Sequence, residues 1–244
     1  MPRMPIRLLM LISACSLLSI PAIAQSYAPS SEKPAVVTRE FRGAWVASVF
    51  NIDWPSRKGL SATAQQSELR AILDQMARLK MNAIIFQVRP NADALYQSSI
   101  EPWSPWLTGT MGRSPGYDPL SYCISQAHAR GIEVHAWFNP YRALPNTEMR
   151  ASSKHITRTH PSLIRPFKSY KWMDPAHPTT QKRALSVILD VTRRYNIDGI
   201  HIDDYFYPYP DVDTNGRPKQ IFPDGKTPSQ RRAYVDNFVS SMYA

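Results

Sequence analysis

The chain has 244 residues, 43% of them apolar, and a formal net charge of +10. That apolar share supports a real core and excludes wholesale disorder, and the length suits one large domain or two small ones. The basic excess suits anionic surroundings, yet no Lys/Arg block is dense enough for a nucleic-acid arm; Lys182-Arg183 and Arg193-Arg194 fit the solvated face of a helix.

The first residues read as an address. Arg3 and Arg7 form a positive region, residues 8–20 are nearly all apolar or small, and Ala22-Ile-Ala24 makes an A-x-A cleavage site before Gln25. Residues 1–24 are therefore expected to be a signal peptide, and the protein to be exported, periplasmic or secreted. The apolar run is too short, and too broken by Pro21, for a membrane span. Ile12-Ser-Ala-Cys15 is similar to a bacterial lipoprotein box, so a membrane partner is expected only through a lipid on Cys15. Soluble secretion is preferred, because the residues after Cys15 stay apolar. Removal of the leader leaves one cysteine, Cys123, with no internal disulfide partner; its helical setting makes it a small core residue rather than a nucleophile.

Residues 25–39, rich in Ser, Pro and Ala, are expected to be a flexible tether. Strand and helix patterns alternate from residue 40 to 244. Residues 41–50 (FRGAWVASVF) form a first predicted strand. Leu69, Ile72, Leu73, Met76 and Leu79 recur at helical spacing, with Thr63 and Gln66 as a capping box. Residues 83–88 (AIIFQV) are a buried second strand. Asp118-Pro119 starts the next helix, the acid as N-cap and Pro at N1, and Gly131 follows its end. Residues 132–138 (IEVHAWF) are the third strand. Ala184, Leu185, Ile188, Leu189 and Thr192 mark a third helix, residues 199–203 a fourth strand and residues 229–242 a fourth helix.

Each helix leads to the next strand in a few residues, whereas the segments from strand to helix are long, 89–117 and 139–179 above all. Elaboration on the carboxyl ends of parallel strands predicts an α/β fold of the (β/α)8 TIM-barrel type, with about the first four β/α units present. A doubly wound sheet is the alternative, weakened by the lack of a G-x-G-x-x-G or P-loop pattern. Half a barrel leaves two open strand edges, so the chain is expected to be the amino-terminal half of a longer protein, or else to close by pairing two copies.

Polar groups cluster at the predicted strand ends. Gln87 and Arg89 share a face of the second strand. Arg89 either clamps a carboxylate or sugar hydroxyls, or pairs with a strand-end acid. The third strand carries His135 and Trp137 and ends at Asn139, Tyr141 and Arg142. Asn139 and Tyr141 suit hydroxyl groups, Trp137 suits a sugar face, and His135 is either a ligand or a core histidine. The fourth strand offers His201 and Asp203 on one face, with Asp204 and Tyr205 at the loop mouth. Glycoside hydrolysis commonly needs two carboxyl groups, and neighbours on a strand diverge, so Asp93 is a further candidate partner. Trp103, with Trp45, Trp54, Trp106 and Trp172, adds aromatic surface to the same strands and loops. No metal is expected, since no ligand spacing such as H-x-x-x-H occurs, and no G-x-S-x-G elbow supports a serine nucleophile. No cofactor is implied.

Five blocks occur in order: residues 41–45 (FRGAW), 87–96 (QVRPNADALY), 101–109 (EPWSPWLTG), 135–142 (HAWFNPYR) and 199–208 (GIHIDDYFYP). Together they resemble the glycosyl hydrolase-like family 10, exported bacterial proteins with a TIM-barrel-type domain. The resemblance implies hydrolysis of an amino-sugar, peptidoglycan-type glycan in the cell envelope, with a carbohydrate polymer as partner and no nucleic acid. It also implies that Arg89, Asp93, Asn139, Tyr141, Arg142, Asp203 and Asp204 line the site. The last block is similar as well to the D-G-x-D-x-D-x-E signature of family 18 chitinases. There Tyr205 stands where the proton-donating glutamate would be, which argues against that family's mechanism. A non-catalytic glycan-binding protein is the alternative function, and a metal-dependent carbohydrate deacetylase a weaker one.

Overall fold

A computed structural model of the chain describes residues 39–146, 149–203, 206–208, 213–217 and 224–243. Four strands, β1 (Gly43–Val46), β2 (Ala83–Arg89), β3 (Glu133–Phe138) and β7 (Gly199–Ile202), form one wholly parallel sheet in the order β1-β2-β3-β7. Helices α1 (Ala62–Arg78), α3 (Pro119–His128) and α5 (Pro178–Arg194) make the crossovers, and α6 (Pro228–Ser240) follows β7. Each strand lies beside its predecessor in the chain, so the order never reverses as it does at the switch point of a doubly wound sheet.

One face of the sheet is apolar. Ile84, Phe86, Val134, Ala136 and Phe138 pack with Leu69, Leu73 and Met76 of α1, Leu120 and Cys123 of α3, and Val187, Ile188 and Val191 of α5. Cys123 is thus a buried core residue, and burial pushes its thiol up. The other face carries Trp45, Ile85, Gln87, His135, Trp137 and His201 in register. Here the Trp45 indole N–H donates to His201 Nε2 at 3.1 Å, although the two residues belong to the outermost strands. Three strand spacings of about 4.8 Å separate those strands in a flat sheet. Side chains from both edges meet because the sheet curls, concave toward this face.

Several local expectations change. The first strand ends at Val46 rather than Phe50, because the chain turns into a short 3-10 segment, Val49–Asn51, in which Phe50 and Asn51 have φ of 56° and 54°. Helix α1 is capped by Ser61, whose Oγ accepts from the Ala64 N–H at 3.2 Å, so Thr63 and Gln66 lie inside the helix and form no capping box. The Asp118 carboxylate does cap α3, with Pro119 at N1. A capping box is found at α6 instead, between Thr227 and Gln230.

The segment between β3 and α5 is more than a loop. It contains β4 (Arg142–Leu144), the short helix α4 (Ile156–Thr159), β5 (Ile164–Phe167) and β6 (Tyr170–Met173), and these strands form an antiparallel sheet in the order β4-β6-β5. The strands are three or four residues long and interrupted by Pro166, too short for a clear period-2 signal. A four-residue helix, α2 (Pro105–Thr108), sits in the segment between β2 and α3.

Candidate functional site

The carboxyl ends of all four parallel strands are joined by one line of hydrogen bonds. Beyond β1, the backbone N–H groups of Ser48 and Val49 both donate to Gln87 Oε1, each at 2.9 Å. Gln87 Nε2, on β2, donates to Asn139 Oδ1 at 2.6 Å. Asn139 Nδ2, just past β3, donates to Asp203 Oδ2 at 2.6 Å, just past β7. Ser48, Gln87 and Asn139 are buried, whereas Asp203 is half-buried. A bulge between Gln87 and Arg89 shifts the β2–β3 register there, and it lets Asn139 N–H bond to the Arg89 carbonyl at 2.9 Å.

Arg89 takes the pairing role rather than the clamping one. Its Nε and one terminal nitrogen grip the two Glu101 oxygens at 2.7 and 2.6 Å, and the other donates to the Asn139 carbonyl at 2.6 Å. Both side chains are sealed, at 1% and 0% exposure, so Arg89 does not reach a ligand in this structure. Burial alone would push its guanidinium down, but the charge and hydrogen bonds of Glu101 carry it above its ordinary value. The pair holds the backbone that positions Asn139.

The other expected residues divide among several places. Asp93 is fully buried, with Oδ1 accepting from the Asn91 N–H at 2.9 Å, and burial pushes its carboxyl up to about 7 against that bond. It lies in the segment after β2 and is sealed from solvent, whereas Asp203 is half-buried. Tyr141 is buried against Phe206 and Phe238, so its ring is core; burial pushes its hydroxyl up. His135 lies toward the amino end of β3, bonded to Glu133 at 3.1 Å and packed edge-on to Phe41, well short of the strand-end cluster. A Cβ on Gly199 would stand 2.4 Å from His135 Nδ1, so the glycine makes room for that ring. Trp137 and His201 meet edge to face on the concave side, below Asp203. Burial lowers the His201 pKa, opposed by the Asp203 charge, and its Nε2 accepts from Trp45, which fits a neutral ring protonated at Nδ1.

Arg142 lines a cavity beside β4 and β6, and Trp103 is half-buried in a bridge to Ala94. Asp204 and Tyr205 lie outside the described residues. Asp198, which matches the chitinase-like signature, sits at the amino end of β7 and accepts from the Val134 N–H at 2.8 Å, far from the mouth. Sequence reasoning missed Ser48 and Glu101 as parts of the site. Glu101 falls within one of the five blocks, but only its distance to Arg89 reveals its role.

The matching family model is Glycosyl hydrolase-like 10, and it covers residues 40–223, which include all five blocks. The chain belongs to this family. A Bacillus subtilis relative, Glycosyl hydrolase YngK, is 46% identical over 173 residues, spanning 70% of this chain and 34% of the relative. Glycosyl hydrolase DigH of Escherichia coli is 36% identical over 214 residues, 79% of this chain and 49% of the relative. The chain thus spans between a third and a half of the length of these curated relatives. Among solved structures, it is similar to α-L-fucosidase isoenzyme 2 from Paenibacillus thiaminolyticus, with 14% identity, a TM-score of 0.53, and coverage of 84% of this chain and 30% of that one. A Flavobacterium johnsoniae chitobiase gives 16% identity and a TM-score of 0.50, over 83% of this chain and 29% of the other. At such identity these likenesses speak to the α/β fold.

Proposed function

We propose that the protein is an exported glycoside hydrolase of the bacterial envelope that cleaves glycosidic bonds in a peptidoglycan-type, amino-sugar glycan. Asp203 is its acid/base or nucleophilic carboxylate. The observation that carries this reading is the hydrogen-bond line ending on a half-exposed carboxylate at the carboxyl ends of parallel strands, where barrel enzymes build their sites. Family membership supports the glycosidase class. The unreversed strand order and the concave sheet support a (β/α)8-type barrel of which this chain supplies four units. The leader-like pattern of residues 1–24, with its A-x-A motif, supports export.

In this reading, the Asn139 amide fixes the orientation of one Asp203 oxygen. A second carboxyl group completes acid/base hydrolysis. Among the described residues, Asp93 and Glu101 are sealed, so Asp204 or a later acid of a longer chain is the partner. That same observation favours the second reading, a glycan-binding protein that retains the groove without a working pair.

Incubation of the full chain with peptide-stripped peptidoglycan strands, with release of reducing ends as the readout, separates the two. Cleavage that disappears in Asp203→Asn supports the enzyme. Binding without cleavage supports the binder. Cleavage at the wild-type rate in Asp203→Asn rules out the proposed role of Asp203.

A further inference from the structure

Glu101 stands beside two guanidinium groups and satisfies one of them. Arg89 takes both of its oxygens, at 2.7 and 2.6 Å, whereas Arg183 Nε lies 3.8 Å from one of them, beyond hydrogen-bond reach. That Nε–H is buried without a hydrogen-bond partner. One terminal nitrogen of Arg183 donates to the Ile100 carbonyl at 2.9 Å, and the other has no partner among the described residues. Yet the side chain is only 18% exposed. Burial pushes this guanidinium below its ordinary value; the Glu101 charge opposes that shift and the Arg89 charge adds to it. A rigid fork of five donors is thus held largely out of water with one bond made.

Arg183 opens on a cavity of about 330 Å³, at the small end of the range of about 300–1,000 Å³ for small-molecule pockets. Three chain segments enclose it: residues 98–101 after β2, Lys154, Thr159 and His160 between β3 and α5, and Arg183 on α5 itself. Lys154 is exposed and makes no ion pair with the described residues. The Ser98 hydroxyl accepts from the Ile100 and Glu101 N–H groups, each at 3.1 Å, so both lone pairs are used and its own O–H is left to donate. The one carboxylate among the described lining residues, Glu101, is sealed at 0% exposure and already gripped by Arg89. Guanidinium, ammonium and hydroxyl donors therefore arrive from three segments with little acceptor capacity to meet them.

We propose that this cavity binds a tetrahedral oxyanion of the phosphate class, with Arg183 as its fork, Lys154 as a second charge and the Ser98 hydroxyl as a further donor. A carboxylate offers two oxygens in one plane, whereas donors from three segments suit an anion with oxygens in several directions. The site is separate from Asp203 and does not need the glycan reading. It is joined to the Asp203 line from behind, since Glu101 holds Arg89 and Arg89 donates to the Asn139 carbonyl.

Calorimetric titration of the full chain with inorganic phosphate, glycerol 3-phosphate and acetate, at one ionic strength set by sodium chloride, tests this. The phosphates are expected to bind at about 1 mM or tighter, and acetate at least about tenfold more weakly. Tighter binding of the ester identifies a small phosphomonoester as the ligand, and equal or tighter binding of inorganic phosphate identifies the free ion; either supports the site. Arg183→Gln is expected to weaken phosphate at least about tenfold, the loss of a charge-assisted bond. Arg183→Lys, which keeps the charge and loses the fork, should fall between. Lys154→Gln, at an exposed position that leaves the fold intact, should weaken it about two- to fivefold, and so reads the site even where an Arg183 variant does not fold.

Acetate binding as tightly as phosphate overturns the proposal. So does phosphate affinity unmoved by Lys154→Gln and by a folded Arg183→Gln protein, or no heat from either phosphate at about tenfold the expected concentration.

Discussion

The direction of the hydrogen-bond line can be tested by reversing one amide. Gln87 Oε1 already accepts two backbone N–H groups, so its Nε2 must donate to Asn139, and Asn139 in turn must present Nδ2 to Asp203. Gln87→Glu keeps the shape and the two backbone bonds but removes the donor. Asn139 then faces an acceptor with an acceptor, either at the introduced carboxylate or, if its amide turns over, at Asp203. Loss of one such buried contact costs about 1–3 kcal/mol, before the cost of burying a new charge.

For a domain of this size each kcal/mol lowers Tm by roughly 2–4 °C, so a fall of roughly 2–12 °C is expected in thermal unfolding followed by near-UV circular dichroism. The sign with pH is also set. Once protonated, the introduced carboxyl has an O–H that replaces the amide donor, and burial raises its pKa above the unfolded value. The variant therefore resembles the wild type at acid pH and loses stability as pH rises through the folded pKa. Adding Asp203→Asn supplies a donor for the turned-over Asn139 and is expected to recover most of the loss, whereas Asp203→Leu removes the charge without a donor and is not. Equal recovery by both, or a Gln87→Glu protein as stable as the wild type at neutral pH, would refute the directional line and leave simple charge repulsion or no coupling at all.

Arg89→Leu alone is expected to cost about 3–5 kcal/mol by leaving buried Glu101 without its bidentate partner, with only Arg183 at 3.8 Å, and combining it with Glu101→Leu should recover much of that in denaturant titration. Gly199→Ala drives a Cβ against His135 and should cost about 1–3 kcal/mol, a loss relieved by His135→Ala in the same chain. Asp93, raised to about 7 by burial, contributes stability that is present below its unfolded pKa and lost as pH rises toward 7. Asp93→Asn should therefore gain on the wild type steadily across that window, and parallel pH profiles of stability for the two proteins would count against it.

Much of the framework is legible in the chain because it depends on local chemistry. Hydrophobic runs such as residues 83–88 set strands, the Asp118-Pro119 pair starts α3 through its own carboxylate and ring, and the long segments after each strand mark the elaborated end. These features also place Gln87, Asn139 and Asp203 at strand ends before any contact is known. What a side chain does there is a different question, since its partner is chosen by distance in space. The choice for Arg89 between a ligand and an acid was settled by Glu101, brought alongside by the loop after β2.

The capping box assigned to Thr63 and Gln66 failed because Ser61 reached the free N–H first, a competition that pattern alone does not rank. Trp45 meets His201 across 156 residues because the sheet curls, and Asp203 is oriented through amides from residues 48 to 139. The sequence by itself determined the order of parallel units and which polar groups reach their carboxyl ends, because periodicity and capping act within a few residues. Only the tertiary structure decided which of those groups are sealed in pairs and which one stays half-buried at the end of the line, because burial and hydrogen-bond partners depend on neighbours far along the chain.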